Sequence, residues 1–324
     1  MRLPLRHVAL VVVVAVGVLV GGVLFPLWRQ AVATSQDARA DPHHIAGGLY
    51  FVGSPDLTSF LLVGSEGHVL IGGGDPRTAR KIVDNIEQLG FNIKDVRILL
   101  ATDPHMDEAG GLAALQQESG AQLWASAANT DVIAAGGADD PSIVYTPYRL
   151  LMRAGVNDYP PPRVDHRVKD GDTVRLGSLA ITAHLTPGHA PGCTTWTFTV
   201  RDRDRDLRVV HRCGLSVPYG ATLVDPERYT GIREDFERTF RTLRDLPVDI
   251  WLTSHGREYG RFRKYEESRR AYAPSRNGNA PDSSEVESDP AAPFIDAKGY
   301  VDSIDMAEAD FRTLLAEQQR QPQK

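Results

Sequence analysis

The alternation of apolar and polar positions divides the chain into strands and helices before any residue needs a role. "LYFVG" and "FLLVGSEGHVLIG", between Gly48 and Gly72, read as short strands with a hairpin turn at "SEGH". In "DPRTARKIVDNIEQLG" the apolar residues Ile82, Val83, Ile86 and Leu89 fall at helical spacing, and Gly90 closes the helix. "VRILLA" is a short, fully apolar strand, "AGGLAALQQESG" a helix ending at Gly120, and "AQLWAS" a further strand. Strand, helix, strand, helix, strand in that order predicts an α/β layer.

Residues 136–164 break the pattern with a Gly-, Pro- and Asp-rich segment, and long irregular loops inside a domain are commonly functional. A second β-rich run follows in "DTVRLG", "LAITAHL", "TTWTFTV" and "LRVVHRC", with "RDRDRD" as a solvated hairpin tip. "GIREDFERTFRTLRDLP" places Ile232, Phe236, Phe240 and Leu243 on one helical face. "VDIWLTSHG" is one more apolar strand, ending in a histidine. Residues 273–290 read as a flexible connector, and a closing helix is expected over about 299–318.

The N-terminus follows a different rule. Arg2 and Arg6 precede an apolar run from Val8 to about Leu27, which is long for a signal-peptide core and close to the roughly 20 residues that span a bilayer. "AVA" at Ala31–Ala33 has the small-x-small form of a cleavage site. Residues 1–34 are therefore read as a signal sequence or a membrane anchor, 35–47 as a linker, and 48–324 as the folded domain. The expected location is extracytoplasmic, periplasmic or secreted, with the inner membrane as a partner if the segment stays uncleaved.

Composition adds exclusions. A net charge of −6 gives no footprint for nucleic acid, and 42% hydrophobic content is ordinary for a globular domain. Two cysteines, Cys193 and Cys213, make no disulfide framework. They leave open a single bridge, two small buried thiols, or an accessory ligand at Cys213.

Residues able to bind a metal gather at the ends of predicted strands. Asp103, His105, Asp107 and Glu108 stand in "ATDPHMDEAGG", His189 in "LTPGHAPGCTTW", and His255 in "LTSHG"; Ser216 stands in "CGLSVPYG". Imidazole with carboxylate suits zinc and other first-row metals. The remaining histidines, at 43, 44, 68, 166, 184 and 211, read as structural.

"LGFNIKDVRILLATDPHMDEAGGLAALQ", "YPPPRVDHRVKDGDTVRLGSLAITAHLTPGHAPGCTTW", "GLSVP", "GIREDFERTFRTLRDLPVDIWLTSHG" and "PFIDAKGYVDS" together resemble the metallo-β-lactamase superfamily, most closely its third subclass of lactamases. The resemblance runs from about Gly48 to the end and implies an αββα sandwich, two mixed β-sheets with helices outside and metals at one sheet edge. It also implies one or two zinc ions, the first at Asp103, His105 and His189, the second at Asp107, Glu108 and His255. His105, Asp107, His189 and His255 match the family pattern. Asp103 and Glu108 stand where the family has histidine, and Gly72 where it usually ends a strand in aspartate.

Each exchange of histidine for carboxylate adds a negative charge around a metal. That favours holding a divalent cation, manganese or calcium included, while weakening its pull on bound water. The activity implied is hydrolysis of a cyclic amide, a β-lactam among small-molecule substrates, with Asp107 orienting the nucleophile and Ser216 contacting the substrate. Two alternatives stand beside it: a membrane-tethered metal-binding homologue with little or no activity, and a lactone or ester hydrolase on the same fold.

Overall fold

The computed structural model describes residues 40–143, 159–272 and 289–320. Contacts divide the chain into Met1–Ala40 and Asp41–Lys324, and only the second unit concerns the fold. The segment read as signal or anchor lies outside the described residues, as do 144–158 of the irregular loop and 273–288 of the connector. Among the described residues, no helix is long and apolar enough to cross a membrane.

The first sheet keeps chain order across seven strands: β1 (His43–Ala46), β2 (Leu49–Phe51), β3 (Phe60–Gly64), β4 (Gly67–Ile71), β5 (Val96–Leu100), β6 (Gln122–Ser126) and β7 (Val164–Val168). The first four form an antiparallel meander, and β4 to β7 run parallel. Parallel neighbours need crossovers. Helix α1 (Ala79–Gln88) supplies the first; α2 (Met106–Ala109) and α3 (Leu112–Ser119) supply the next; α4 (Thr130–Ala134) begins the last. Gly90 follows α1 with φ +85°, a left-handed turn that ends the helix where the sequence predicts.

Two strands depart from the sequence reading. β1 lies inside the stretch read as linker, because "HHIA" carries only two apolar residues and its register is interrupted between His44 and Ala46. β7 follows the irregular segment directly; "VDHRV" is an edge strand whose polar residues hide its pairing with β6.

The second sheet has the order β12 (Ile250–Thr253), β11 (Arg205–Arg212), β10 (Thr194–Asp202), β9 (Leu179–Leu185), β8 (Thr173–Leu176). Only β11 and β12 are parallel, and α5 (Ile232–Asp245) connects them. The sheets meet face to face: the Phe60 ring lies 5.4 Å from His211, and Trp196 Nε1 donates to Ala101 O at 3.3 Å.

Helices cover the outer faces. Ile82, Val83 and Ile86 of α1 and Leu112 and Leu115 of α3 pack with Leu61, Leu70, Leu99 and Leu123. Two more helices follow, α6 (Arg261–Tyr272) and the closing helix α7 (Ala297–Arg320), and Phe236 and Phe240 of α5 meet Phe311 of α7. Burying each such side chain contributes roughly 1.5–3 kcal/mol. The result is the expected αββα sandwich.

Strand direction gathers the chemistry. β4, β5 and β6 end on one edge, and hydrogen bonds stitch the matching edge of the second sheet to it. Thr194 N donates to Thr102 O at 2.9 Å, Thr58 N to Ser254 O at 2.9 Å, and Thr58 Oγ1 to Thr253 O at 2.6 Å. Residues 103, 189, 213 and 255 follow or precede these stitches, so segments far apart in sequence meet.

Candidate metal centre

Pro104 restricts the backbone at Asp103 to extended conformations. The chain then turns at once: Asp103 Oδ1 accepts from His105 N at 3.0 Å, and His105 caps α2 in the β region. Tyr159 OH donates to Pro104 O at 2.8 Å and pins the turn from outside.

Donor atoms of Asp103, His105 and His189 all lie within 4.8 Å of one another. His105 Nδ1 stands 3.0 Å from His189 Nε2 and 3.6 Å from Asp103 Oδ1. Two tetrahedral ligands at zinc distances stand about 3.3 Å apart, so both separations are within a few tenths of what an ion between them needs.

The outer side of each ring fixes which nitrogen faces inward. His189 Nδ1 donates to the carbonyl oxygen of Ser216 at 2.7 Å, leaving the Nε2 lone pair for the pocket. His105 Nε2 meets Ser142 Oγ at 2.9 Å and Asp140 Oδ2 at 3.4 Å. Ser142 gives both its hydroxyl proton, at 2.6 Å, and its backbone N–H, at 2.8 Å, to Asp140 Oδ1. Its oxygen is thus left to accept from His105, and Nδ1 faces inward bare. Two lone pairs at 3.0 Å repel unless a proton or a cation lies between them.

Asp103 supplies the second sign of a cation site. It is 2% exposed, and its Oδ2 faces Cys213 Sγ at 3.5 Å. Cys213 is bridged to Cys193, so that sulfur has no proton to give. A buried carboxylate oxygen against a disulfide is an open acceptor. The residues present fit a divalent metal.

The bridge also decides the question that the cysteines left open. Cys193 and Cys213 are neither free thiols nor an accessory thiolate ligand; they tie the start of β10 to the end of β11. Gly214 beside the bridge lets the His189 ring lie against the backbone, since a Cβ there would stand 2.8 Å from its Cδ2.

Charge follows position. Burial pulls His105 toward neutrality, but Asp103, Asp140 and Asp107 outweigh it and raise its pKa. His189 is lowered, first by burial and then by His105. Burial also opposes charge at His255, where the contact with Asp56 and the charge of Asp107 prevail and raise it.

The other expected ligands divide. His255 Nε2 faces Asp107 Oδ2 at 3.6 Å, while its Nδ1 is 3.4 Å from Asp56 Oδ2. Asp107 is 42% exposed and open to solvent. Glu108 is not brought to this pair. Its carboxylate is buried, accepts from Thr102 Oγ1 at 3.1 Å, and has its pKa raised well above normal by burial and then by Asp103 and Asp107. Ser216 stands behind His189: its carbonyl is the tether, and its hydroxyl is 3.3 Å from Nδ1.

Asp140, Ser142 and Asp56 were not singled out from the sequence. "DDPS" carried a faint signal for the first two, an Asp two residues before a Ser, which favours the local turn seen here.

The family model of the Metallo-beta-lactamase superfamily matches residues 56–255, more than half of the chain. The chain belongs to this superfamily. Among solved structures, a Cronobacter sakazakii metallo-β-lactamase bearing a HARLDQ motif (mutant S60) is 31% identical with a TM-score of 0.77, covering 89% of this chain and 100% of that one. BJP-1, a subclass B3 metallo-β-lactamase of Bradyrhizobium japonicum, is 30% identical with a TM-score of 0.72, covering 88% and 97%. A hydroxyacylglutathione hydrolase of Methylobacterium sp. (strain 4-46) is 26% identical over 154 residues, 44% of this chain and 48% of the relative. The chain spans less than half the length of the curated relatives it matches. The relatives named here are hydrolases, and the fold implies a divalent metal.

Proposed function

We propose that this superfamily member hydrolyses the cyclic amide of β-lactams, that Asp103, His105 and His189 would hold a zinc ion, and that Asp107 and His255 form a second pair of ligand-type residues. The observation that carries the reading is the pair of imidazole nitrogens at 3.0 Å, each aimed inward by a bond on its far side, beside a buried carboxylate with an open oxygen. The B3 lactamases among the structural neighbours support the substrate class.

A bound zinc supplies Lewis acidity, polarising a carbonyl and lowering the pKa of water. The chain's own residues do the rest. Asp107, open to solvent, hydrogen-bonds the attacking water and takes its proton as the new C–O bond forms. The C–N bond then breaks, and the departing nitrogen needs a proton, which Asp107 returns. Ser216 keeps His189 in the ligating tautomer through its carbonyl. The carboxylate of Asp103 in place of an imidazole makes water activation weaker than in an all-histidine set, so turnover is expected to be slow and to rise toward alkaline pH.

The Cys193–Cys213 bridge and the apolar N-terminal run support an extracytoplasmic location, since disulfides persist in oxidising compartments. One second reading has a specific support: the hydroxyacylglutathione hydrolase similarity points to thioesters. Metal analysis of the full chain, followed by nitrocefin and S-lactoylglutathione turnover with and without His189→Ala, tests both. Zinc uptake with nitrocefin turnover that His189→Ala abolishes is expected. Thioester turnover alone would replace the substrate, and no metal uptake by the full chain would refute the whole reading.

A further inference from the structure

We infer that the chain holds a single metal ion, at Asp103, His105 and His189, and that Asp107 and His255 remain a pair without an ion of their own. This rests on the metal-binding reading above and departs from the second ion that the family resemblance implies at Asp107, Glu108 and His255.

The first set of donors converges and the second does not. Among the described residues, the groups of three His, Cys, Asp or Glu donors lying within 4.8 Å of one another all contain Asp103, and none contains Asp107, Glu108 or His255. The geometry of α2 is one reason. Asp107 and Glu108 are consecutive there, and neighbours on a helix point about 100° apart. With Asp107 half-open to solvent, Glu108 turns into the protein, where it is 4% exposed and its Oε2 accepts from Thr102 Oγ1 at 3.1 Å. A Cβ on Gly72 would stand 3.8 Å from that same oxygen, which places the carboxylate against the end of β4.

His255 is anchored from the other direction. Its backbone pairs antiparallel with Leu57, Gly256 N donates to Asp56 O at 2.7 Å, and Thr58 N donates to Ser254 O at 2.9 Å. These bonds tie the loop to residues 56–58. Asp56 Oδ2 then stands 3.4 Å from His255 Nδ1, and Arg257 pairs with the same carboxylate. Nε2 is left facing Asp107 Oδ2 at 3.6 Å. One imidazole and one half-exposed carboxylate therefore make up the whole second set. Catalytic zinc sites take three protein ligands and leave one position to water or substrate. The Asp103 set supplies three; the pair at His255 is one short.

The test titrates zinc and cobalt into the metal-free full chain, wild type beside His189→Ala and His255→Ala, and counts bound ions by elemental analysis after dialysis. Wild type should hold one ion, with any second at least about 100-fold weaker, the upper end of what even an outer partner of a ligand contributes. Its cobalt absorption should reach a plateau at one equivalent, a readout that needs no variant. His189→Ala, left with two donors at the first site, should hold none. His255→Ala should still hold one, within about 3-fold of the wild-type affinity. Two tightly held ions in wild type, a cobalt plateau only at two equivalents, or loss of the ion from folded His255→Ala would each overturn the inference. A wild type that holds no ion at all instead defeats the metal-binding reading itself, so the two failures are told apart.

Discussion

Replacing Asp140 with asparagine should weaken metal binding by changing the tautomer of His105. In the native site Asp140 Oδ1 takes two protons from Ser142, and Oδ2 stands 3.4 Å from His105 Nε2. Asparagine keeps the first pair through its oxygen and so turns its NH₂ toward Nε2. The two N–H groups then repel across 3.4 Å although Ser142 Oγ can still accept from Nε2, and that repulsion favours moving the imidazole proton to Nδ1, which closes the ligand position. The expected loss is about 10- to 100-fold in zinc affinity, or roughly 1.4–2.7 kcal/mol. Ser142→Ala, which leaves Asp140 facing Nε2, should lose less. Chelator-competition titration gives the affinities, and ¹⁵N NMR of the histidine ring nitrogens reports which one carries the proton. The surrounding loop keeps the Tyr159–Pro104 bond and the Arg228 bonds to Ile143 O and Asp139 O, so thermal stability should change little. Wild-type zinc affinity in Asp140→Asn, with His105 still protonated at Nε2, would refute the reasoning.

Two further predictions concern stability. His211 is fully buried with neither ring nitrogen bonded, and burial followed by the Arg212 charge lowers its pKa to about 3, while burial lowers His43 to about 4. Both folded values lie below the ordinary 6.5, so their contribution is intact above pH 6.5 and is lost as pH falls toward 3–4, where only the unfolded chain takes up the protons. Between pH 7 and pH 4.5 His211 alone should remove roughly 2–3 kcal/mol, and urea denaturation of His211→Leu should show a pH dependence shallower by that amount; parallel curves would count against it. Reducing the Cys193–Cys213 bridge, which joins residues 20 apart, should cost about 2–4 kcal/mol in the same assay. It should also weaken metal binding, since the bridge backs Asp103 and adjoins His189; stability that is indifferent to reductant, with thiols shown to be free, would contradict this.

Much of the scaffold was legible because it is local. Periodicity placed α1, α3 and α5 and the apolar strands β5 and β12, since burial of one face imposes its spacing on any short window of sequence. The edge strands β1 and β7 escaped for other reasons: β1 is buried but short, with two histidines and an interrupted register, and little of β7 faces an apolar core. The ligand-type residues His105, Asp107, His189 and His255 were visible as motif positions following strands.

What the sequence by itself determined, then, was the set of elements and the chemical types gathered at their ends, because both are written in neighbouring residues. Tertiary structure alone decided how those ends are used. The stitches between Thr102 and Thr194 and between Thr58 and Ser254 join segments 92 and 196 positions apart, and no local pattern encodes such a register. They bring Asp140 and Ser142 behind His105, set Ser216 behind His189, close Cys193 onto Cys213, and turn Glu108 away from Asp107. A ligand's identity is local, but the direction of its lone pair depends on what stands behind it, and that depends on packing across the two sheets.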